Sequence, residues 1–288
     1  MRVIATAVEV RAWSRAARQA GRTVGLVPTM GALHEGHLSL VRAARRRGDR
    51  VAVSIFVNPT QFGPNEDFER YPRTFEADCA LLEREGVEVV FAPQVEEIYP
   101  RGASTFIEVA LLSDRLDGAS RPGHFRGVAT VVTKLFTTVE PTRAYFGQKD
   151  AAQVAVLRRM VADLLLPVEL VVCPIVREAD GLAMSSRNRY LGAEERSQAL
   201  ALSRAVRAGE AAFHAGERSA AAICAAAENE LGRTGALTGA LRVDYVVLVD
   251  WVTLEPVERA ELGHLLAVAA WVGTTRLIDN TILDNTVL

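Results

Sequence analysis

Val27-Pro28-Thr29-Met30-Gly31-Ala32-Leu33-His34-Glu35-Gly36-His37-Leu38 is the stretch on which the reading of this chain turns. The apolar run Thr23 to Val27 predicts a buried strand. It ends at a proline and breaks into a glycine-spaced turn. A helical pattern is expected from near His37 to about Arg47. Two imidazoles three residues apart therefore sit where a strand hands over to a helix. Such a place collects anions, because backbone N–H groups and the positive end of the helix dipole face outward there. Gly31 and Gly36 let backbone approach a ligand. The histidines add donors for a phosphate. The same His pair also suits a plain helix cap. A zinc site is disfavoured: HExxH is absent, and Gly36 argues for a turn. The Gly31-x4-Gly36 spacing is followed by His37-Leu38 rather than Lys-Ser/Thr, which excludes an ordinary P-loop.

The chain has 288 residues, of which 49% are hydrophobic, enough for one large or two ordinary domains. Its formal charge of −2 and pI near 6.3 exclude a general polyanion binder. Cys79, Cys173 and Cys224 form neither a disulfide framework nor a zinc knuckle, and a cytoplasmic location is expected. Arg2, Glu9 and Arg11 interrupt any signal-peptide pattern, and the apolar run His264 to Val272 is too short for a bilayer. No membrane partner is expected. Among the basic residues only Lys134 and Lys149 are lysines, a mild hint that a compact ammonium is wanted there.

Working outward, strand-like runs at Thr23–Val27, Val51–Val57, Val87–Ala92, Ala144–Phe146 and Val168–Cys173 alternate with helical patterns. Those patterns lie near Leu38–Arg47, Phe75–Glu85, Val128–Val139 and Ala151–Leu165. This βαβ order predicts an α/β fold, a Rossmann-like doubly wound parallel sheet that binds ligands beyond the carboxyl ends of its strands. After about Val176 the texture changes. Ala-rich helices at Ala193–Phe213 and Ser219–Leu231 precede runs at Val243–Val249, Leu265–Val272 and Thr275–Asp279. The expected division is residues 1–176 as a nucleotide- and substrate-binding domain and residues 177–288 as a smaller α+β domain with an antiparallel sheet.

Four further segments carry polar chemistry. In Ser54-Ile55-Phe56-Val57-Asn58-Pro59-Thr60-Gln61-Phe62-Gly63, the amides of Asn58 and Gln61 suit a substrate with hydroxyls or a carboxylate, or a capped turn. The loop onward to Tyr71-Pro72-Arg73 is long and polar, as a mobile cover would be. Arg121-Pro122-Gly123-His124-Phe125-Arg126-Gly127 is a basic loop before a helix, suited to polyphosphate or to solvent. Phe146-Gly147-Gln148-Lys149-Asp150 opens another helix. There Lys149 suits phosphate, Asp150 suits ribose hydroxyls, and Gln153 lies one turn later. Arg177-Glu178-Ala179-Asp180-Gly181-Leu182-Ala183-Met184-Ser185-Ser186-Arg187-Asn188 suits a clamp on pyrophosphate, or a loop capped by Ser185 or Ser186.

In order and content these five segments resemble the pantoate–β-alanine ligase (pantothenate synthetase) family of HIGH-type nucleotidyltransferases. The likeness runs nearly the whole chain, to Gly273-Thr274-Thr275-Arg276-Leu277-Ile278-Asp279-Asn280. The resemblance implies a two-step reaction of ATP, pantoate and β-alanine, with Mg2+ bridging phosphates, in a homodimer that binds no nucleic acid. By the same resemblance Met30, Gly31, Ala32, Leu33, His34, Glu35, Gly36 and His37 form the ATP turn, with His37 resembling a proton donor. Gln61 and Gln153 resemble the pantoate contacts, with Gln61 also near the β-alanine site; Asn58 is a substrate-contact candidate from its own position after the strand. Gly147, Gln148, Lys149 and Asp150 resemble a nucleotide contact, and Val176 would meet adenine through its backbone. Met184, Ser185, Ser186 and Arg187 look like the family's counterpart of a KMSKS loop, and Asp78 is a candidate carboxylate for the metal. The competing readings are another small HIGH-family nucleotidyltransferase and a non-catalytic, synthetase-like RNA binder. The two glutamines and the second domain argue against the first, and the near-neutral charge argues against the second.

Overall fold

The computed structural model describes residues 1–64, 66–238 and 241–284. The chain divides into two compact units, Met1–Gln148 with Val156–Pro174, and Lys149–Ala155 with Ile175 onward.

The first unit alternates β1 (Arg2–Ile4), α1 (Ala7–Gln19), β2 (Val24–Thr29), α2 (Glu35–Arg46), β3 (Arg50–Ile55), α3 (Phe75–Arg84) and β4 (Val89–Phe91). Short helices α4 (Val95–Ile98) and α5 (Asp117–Ser120) follow, then α6 (His124–Val139), β5 (Arg143–Gly147), α7 (Ala151–Asp163) and β6 (Glu169–Cys173). Among the described residues the strands form a six-stranded parallel sheet in the order β1-β4-β3-β2-β5-β6. The expected α/β class is borne out. Chain order runs outward from β2 to β3 and β4, then returns to β5 on the other side. The topological switch thus falls between β2 and β5, and ligands of such sheets bind beyond strand ends at that point. β2 can occupy the centre because its side chains Val24, Leu26 and Val27 are fully buried. Leu38, Leu40, Val41 and Ala44 of α2 share a cluster with Val27, Val51, Val53, Val90 and Tyr145.

Four of these elements were not expected: β1, α1 and the short helices α4 and α5. β1 is three residues long, and α1 buries only Val10, Ser14 and Ala17. β1 is too short to carry a periodic signal, whereas the helical spacing of Val10, Trp13 and Ala17 in α1 was legible. Thr6 opens α1, accepting the Glu9 N–H at 3.3 Å.

The second unit packs α8 (Ala193–His214) and α9 (Ala220–Thr238) with a three-stranded antiparallel sheet of β7 (Leu241–Val249), β8 (Leu265–Val272) and β9 (Thr275–Ile282). Leu202, Ala205, Val206, Ala227 and Leu231 meet Val268, Ala270 and Val272 in its core. Gly209 packs closely there, since a Cβ would lie 2.4 Å from Leu266 Cδ2 and that side chain would have to shift. Among the described residues, no helix is long and apolar enough to cross a membrane.

Candidate active site

The turn after β2 is braced from within. Gly31 and Ala32 both lie in the left-handed region, at φ 83° and 51°. Only glycine enters that region freely, so Ala32 holds strain that its surroundings must offset. Asp78 of α3 supplies the restraint. Its Oδ2 accepts the Ala32 N–H and its Oδ1 the Leu33 N–H, each at 2.9 Å, and Thr74 Oγ1 donates to Oδ1 at 3.1 Å. The side chain is 2% exposed. Gly31 N–H donates to Thr29 Oγ1 at 3.2 Å. Three N–H groups expected to cradle an anion are thus donated inside the protein.

α2 begins at Glu35 with His34 as its cap, two residues before the expected start. His34 Nδ1 accepts the Gly36 N–H at 3.1 Å, and His37 Nδ1 accepts the His34 N–H at 3.3 Å. The capping reading and the phosphate reading therefore apply to different nitrogens of the same rings. With both Nδ1 atoms accepting, the proton of each neutral ring sits on Nε2. The rings lie 4.1 Å apart. This pair can offer two Nε2–H donors. Protonating Nδ1 would place a donor against a donor and undo the cap, so charge stabilisation suits these rings better than proton transfer. His37→Asn keeps an acceptor near Nδ1 and removes Nε2. For the adenylation step that the resemblance implies, the expected result is an unchanged thermal melt and a rate lowered at least about 10-fold; an unfolded variant, or unchanged pyrophosphate exchange, would contradict the assignment.

The turn after β3 centres on Asn58, which is 1% exposed. Its Nδ2 donates to Gln61 Oε1 at 2.9 Å and to the Gly127 carbonyl at 3.2 Å. Its Oδ1 accepts the Thr60 N–H at 3.3 Å, the Thr60 hydroxyl at 2.9 Å and the Tyr99 hydroxyl at 2.9 Å. Asn58 was expected to touch substrate, but both its N–H groups are donated to the protein; it orients Gln61. The Gln61 Nε2 rests on Met30 Sδ at 3.3 Å, a weak acceptor that a substrate oxygen can replace. Lys134 Nζ lies 4.7 Å over the Tyr99 ring and donates to the Ile98 carbonyl at 2.6 Å. Its lysine is explained by packing.

In the segment Arg121–Gly127, His124, Phe125 and Gly127 are buried, whereas Pro122, Gly123 and Arg126 are exposed. His124–Gly127 is the first turn of α6, which starts four residues before the expected Val128. Arg121 is paired with Glu66 at 2.6 Å, and His124 is 9% exposed. Burial, aided by the nearby Arg121 charge, pushes the His124 imidazole down from 6.5 to about 4. The native ring stays neutral where the unfolded ring takes up a proton, so its share of stability is complete above about 6.5 and is lost as pH falls toward 4. Across that window the loss amounts to about 3 kcal/mol. Urea midpoints of the wild type should fall more steeply than those of His124→Asn between those limits; parallel curves would refute it. The stretch from Phe62 to Arg73, expected as a cover, packs Phe62 against Phe68 and Tyr71 at centroid distances of 5.3 and 6.0 Å.

In the second unit, Lys149 and Asp150 end a 3-10 turn before α7, with Lys149 Nζ 3.7 Å from Asp150 Oδ1. Asn280 Nδ2 of β9 donates to the Lys149 carbonyl at 2.8 Å. Trp251 Nε1 donates to the Ala151 carbonyl at 3.1 Å. Gln153 is half-buried in the first turn of α7. The Arg177–Asn188 loop is held from several sides. Arg177 forms a two-pronged pair with Asp279 at 2.6 and 3.0 Å, and Arg196 of α8 pairs with Glu178 and Asp180 at 2.6 and 2.7 Å. The Val176 carbonyl accepts the Met184 N–H at 3.0 Å. Ser185 caps a 3-10 turn, its Oγ accepting the Arg187 N–H at 3.3 Å, and Ser186 is 9% exposed. Asn280 and Asp279 were not singled out as positioning groups, and apart from the likeness through Asn280 no local signal points to them.

Asp78 does not fit a magnesium ligand, since both its oxygens accept backbone N–H groups in the interior. Among the described residues, no group of three or more His, Cys, Asp or Glu could hold a metal ion.

The switch point between β2 and β5, with a His-x-x-His turn opening α2, defines the class: a doubly wound α/β protein of the kind that binds ligands beyond its strand ends. The family model described as pantoate-beta-alanine ligase matches residues 2–282. The chain belongs to the pantoate-beta-alanine ligase family. It is 67% identical over 265 residues to the pantothenate synthetase of Acidobacterium capsulatum, covering 92% of this chain and 87% of that one. It is 61% identical over 283 residues to that of Thermotoga neapolitana, covering 98% and 100%. The crystal structure of pantothenate synthetase from Thermus thermophilus superposes with a TM-score of 0.91 at 47% identity, covering 98% of this chain and 99% of that one. The pantoate-beta-alanine ligase of Francisella tularensis, complexed with beta-gamma ATP and beta-alanine, superposes with a TM-score of 0.80 at 32% identity over 99% of both chains.

Proposed function

We propose that this chain condenses (R)-pantoate with β-alanine at the expense of ATP, giving pantothenate, AMP and pyrophosphate. The observation that carries the reading is a family likeness over residues 2–282 that includes all five polar segments. In the first step a pantoate carboxylate oxygen attacks the α-phosphorus. The new O–P bond replaces the bond to the β-phosphate, and pyrophosphate leaves. In the second step the β-alanine nitrogen attacks the acyl carbon. A C–N bond forms, the C–O bond to AMP breaks, and the amine loses a proton. Adenylation is needed because a free carboxylate has no adequate leaving group.

The chain's part is positioning and charge stabilisation. His34 and His37 act as Nε2–H donors to phosphate oxygens. Gln61 and Gln153 hold pantoate. Lys149 meets phosphate, Gly147, Gln148 and Asp150 meet the nucleotide, Val176 meets adenine, and Met184, Ser185, Ser186 and Arg187 close on the triphosphate. Magnesium enters with the nucleotide, in keeping with its preference for phosphate and water ligands. Free Cys79, Cys173 and Cys224 support a reducing cytoplasm. The resemblance supports a homodimer, which light scattering should report as twice the 31.2 kDa chain.

The test is pantoate-dependent exchange of labelled pyrophosphate into ATP, followed by AMP release on adding β-alanine. Exchange without pantoate, or AMP release indifferent to β-alanine, would return the chain to the wider nucleotidyltransferase class.

A further inference from the structure

Arg121–Gly127 grips the turn that carries Gln61. His124 Nδ1 lies 2.9 Å from the Gln61 carbonyl oxygen, and Arg121 Nη2 donates to the same oxygen at 3.4 Å. A carbonyl only accepts, so the His124 proton is on Nδ1. Nε2 is then an acceptor, and Arg121 Nη1 lies 3.0 Å from it. Glu66 holds that guanidinium at 2.7 and 2.6 Å through both carboxylate oxygens. One tautomer of His124 satisfies both neighbours. α6 also meets the turn backbone to backbone: a Cβ on Gly127 would lie 2.3 Å from the Thr60 carbonyl oxygen. The Gln61 main chain is thus pinned by His124, and its side-chain oxygen by Asn58. Only the amide nitrogen is left on a weak partner.

We propose that His124 is a positioning residue for the carboxylate substrate, acting through the Gln61 carbonyl to set where the Gln61 amide meets pantoate. It rests on the reading of Gln61 as a pantoate contact. The geometry separates the two ring nitrogens. His124→Asn keeps a donor near Nδ1 and the bond to Gln61. His124→Gln puts its amide near Nε2 and loses that bond.

The experiment measures KM for pantoate, ATP and β-alanine in the full-length chain. His124→Asn should keep the pantoate KM within about threefold, while His124→Gln raises it about tenfold or more and leaves the ATP KM within about twofold. Gln61→Ala should raise the pantoate KM at least as much. Equal Asn and Gln variants, or a parallel rise for ATP, would overturn the inference while leaving a raised Gln61→Ala value to support the Gln61 reading. An unchanged pantoate KM in Gln61→Ala would overturn both. If the His124 variants do not fold, Glu66→Gln carries the test. By loosening Arg121 it should raise the pantoate KM about threefold, and a wild-type value would overturn the inference.

Discussion

Replacing Lys149 with alanine is expected to slow adenylation by roughly 10²-fold or more, as loss of an oxyanion donor does elsewhere. The expectation follows from what the substitution leaves intact. Lys149 is one of two lysines in an arginine-rich chain, and the other is accounted for by its contacts with Tyr99 and Ile98. Its backbone is fixed by Asn280 from β9, so alanine removes the ammonium and little else. Its ion pair with Asp150 is long, at 3.7 Å, and Asp150 is half exposed, so that pair adds at most about 1 kcal/mol to the fold. The large effect belongs to the charge that gathers on the phosphates as pyrophosphate departs. Pantoate-dependent pyrophosphate exchange measures it directly, with a thermal melt as control. Near-normal exchange would remove Lys149 from the chemistry.

Asp78→Ala should destabilise the first unit by about 2–6 kcal/mol, because it strands two buried N–H donors at about 1–3 kcal/mol each. The affected donors belong to Ala32 and Leu33, and Ala32 is held at φ 51°. Without the carboxylate that strain is released, the turn relaxes, and adenylation falls together with stability. Asp78→Asn should be intermediate, since its amide keeps one acceptor and sets an N–H2 group against a donor. Urea unfolding with an unchanged slope measures the loss. The loss should be the same with and without magnesium. A loss below about 1 kcal/mol, or one seen only with the ion present, would restore Asp78 as a metal ligand.

The His124 ring shows where reading a sequence stops. Its loop was equally suited to phosphate and to solvent; the structure buries the ring itself and leaves Pro122, Gly123 and Arg126 exposed. Its partner Gln61 lies 63 residues away in the chain, and Asp78 lies 46 residues from Ala32. Asn58 likewise had the composition of a ligand contact, yet its donors go to Gln61 and Gly127. In each case the residue type was informative about polarity and silent about the partner. α1 was missed although Val10, Trp13 and Ala17 recur at helical spacing, a signal that was there to be read.

The parallel order of the first unit, the change to Ala-rich helices and a small sheet, and the grouping of polar motifs after strands could all be read from the sequence. Each depends on local periodicity and on turn chemistry, which act over a few residues. The opening turn shows the other half. Its glycines, histidines and place after a strand were legible, and so was an affinity for anions. That Asp78 takes the Ala32 and Leu33 donors was decided by the tertiary structure, because those bonds join residues 46 and 45 positions apart and form only once α3 is packed against the turn. The cap bonds join residues two and three apart, so the capping use of both imidazoles was within reach of the sequence.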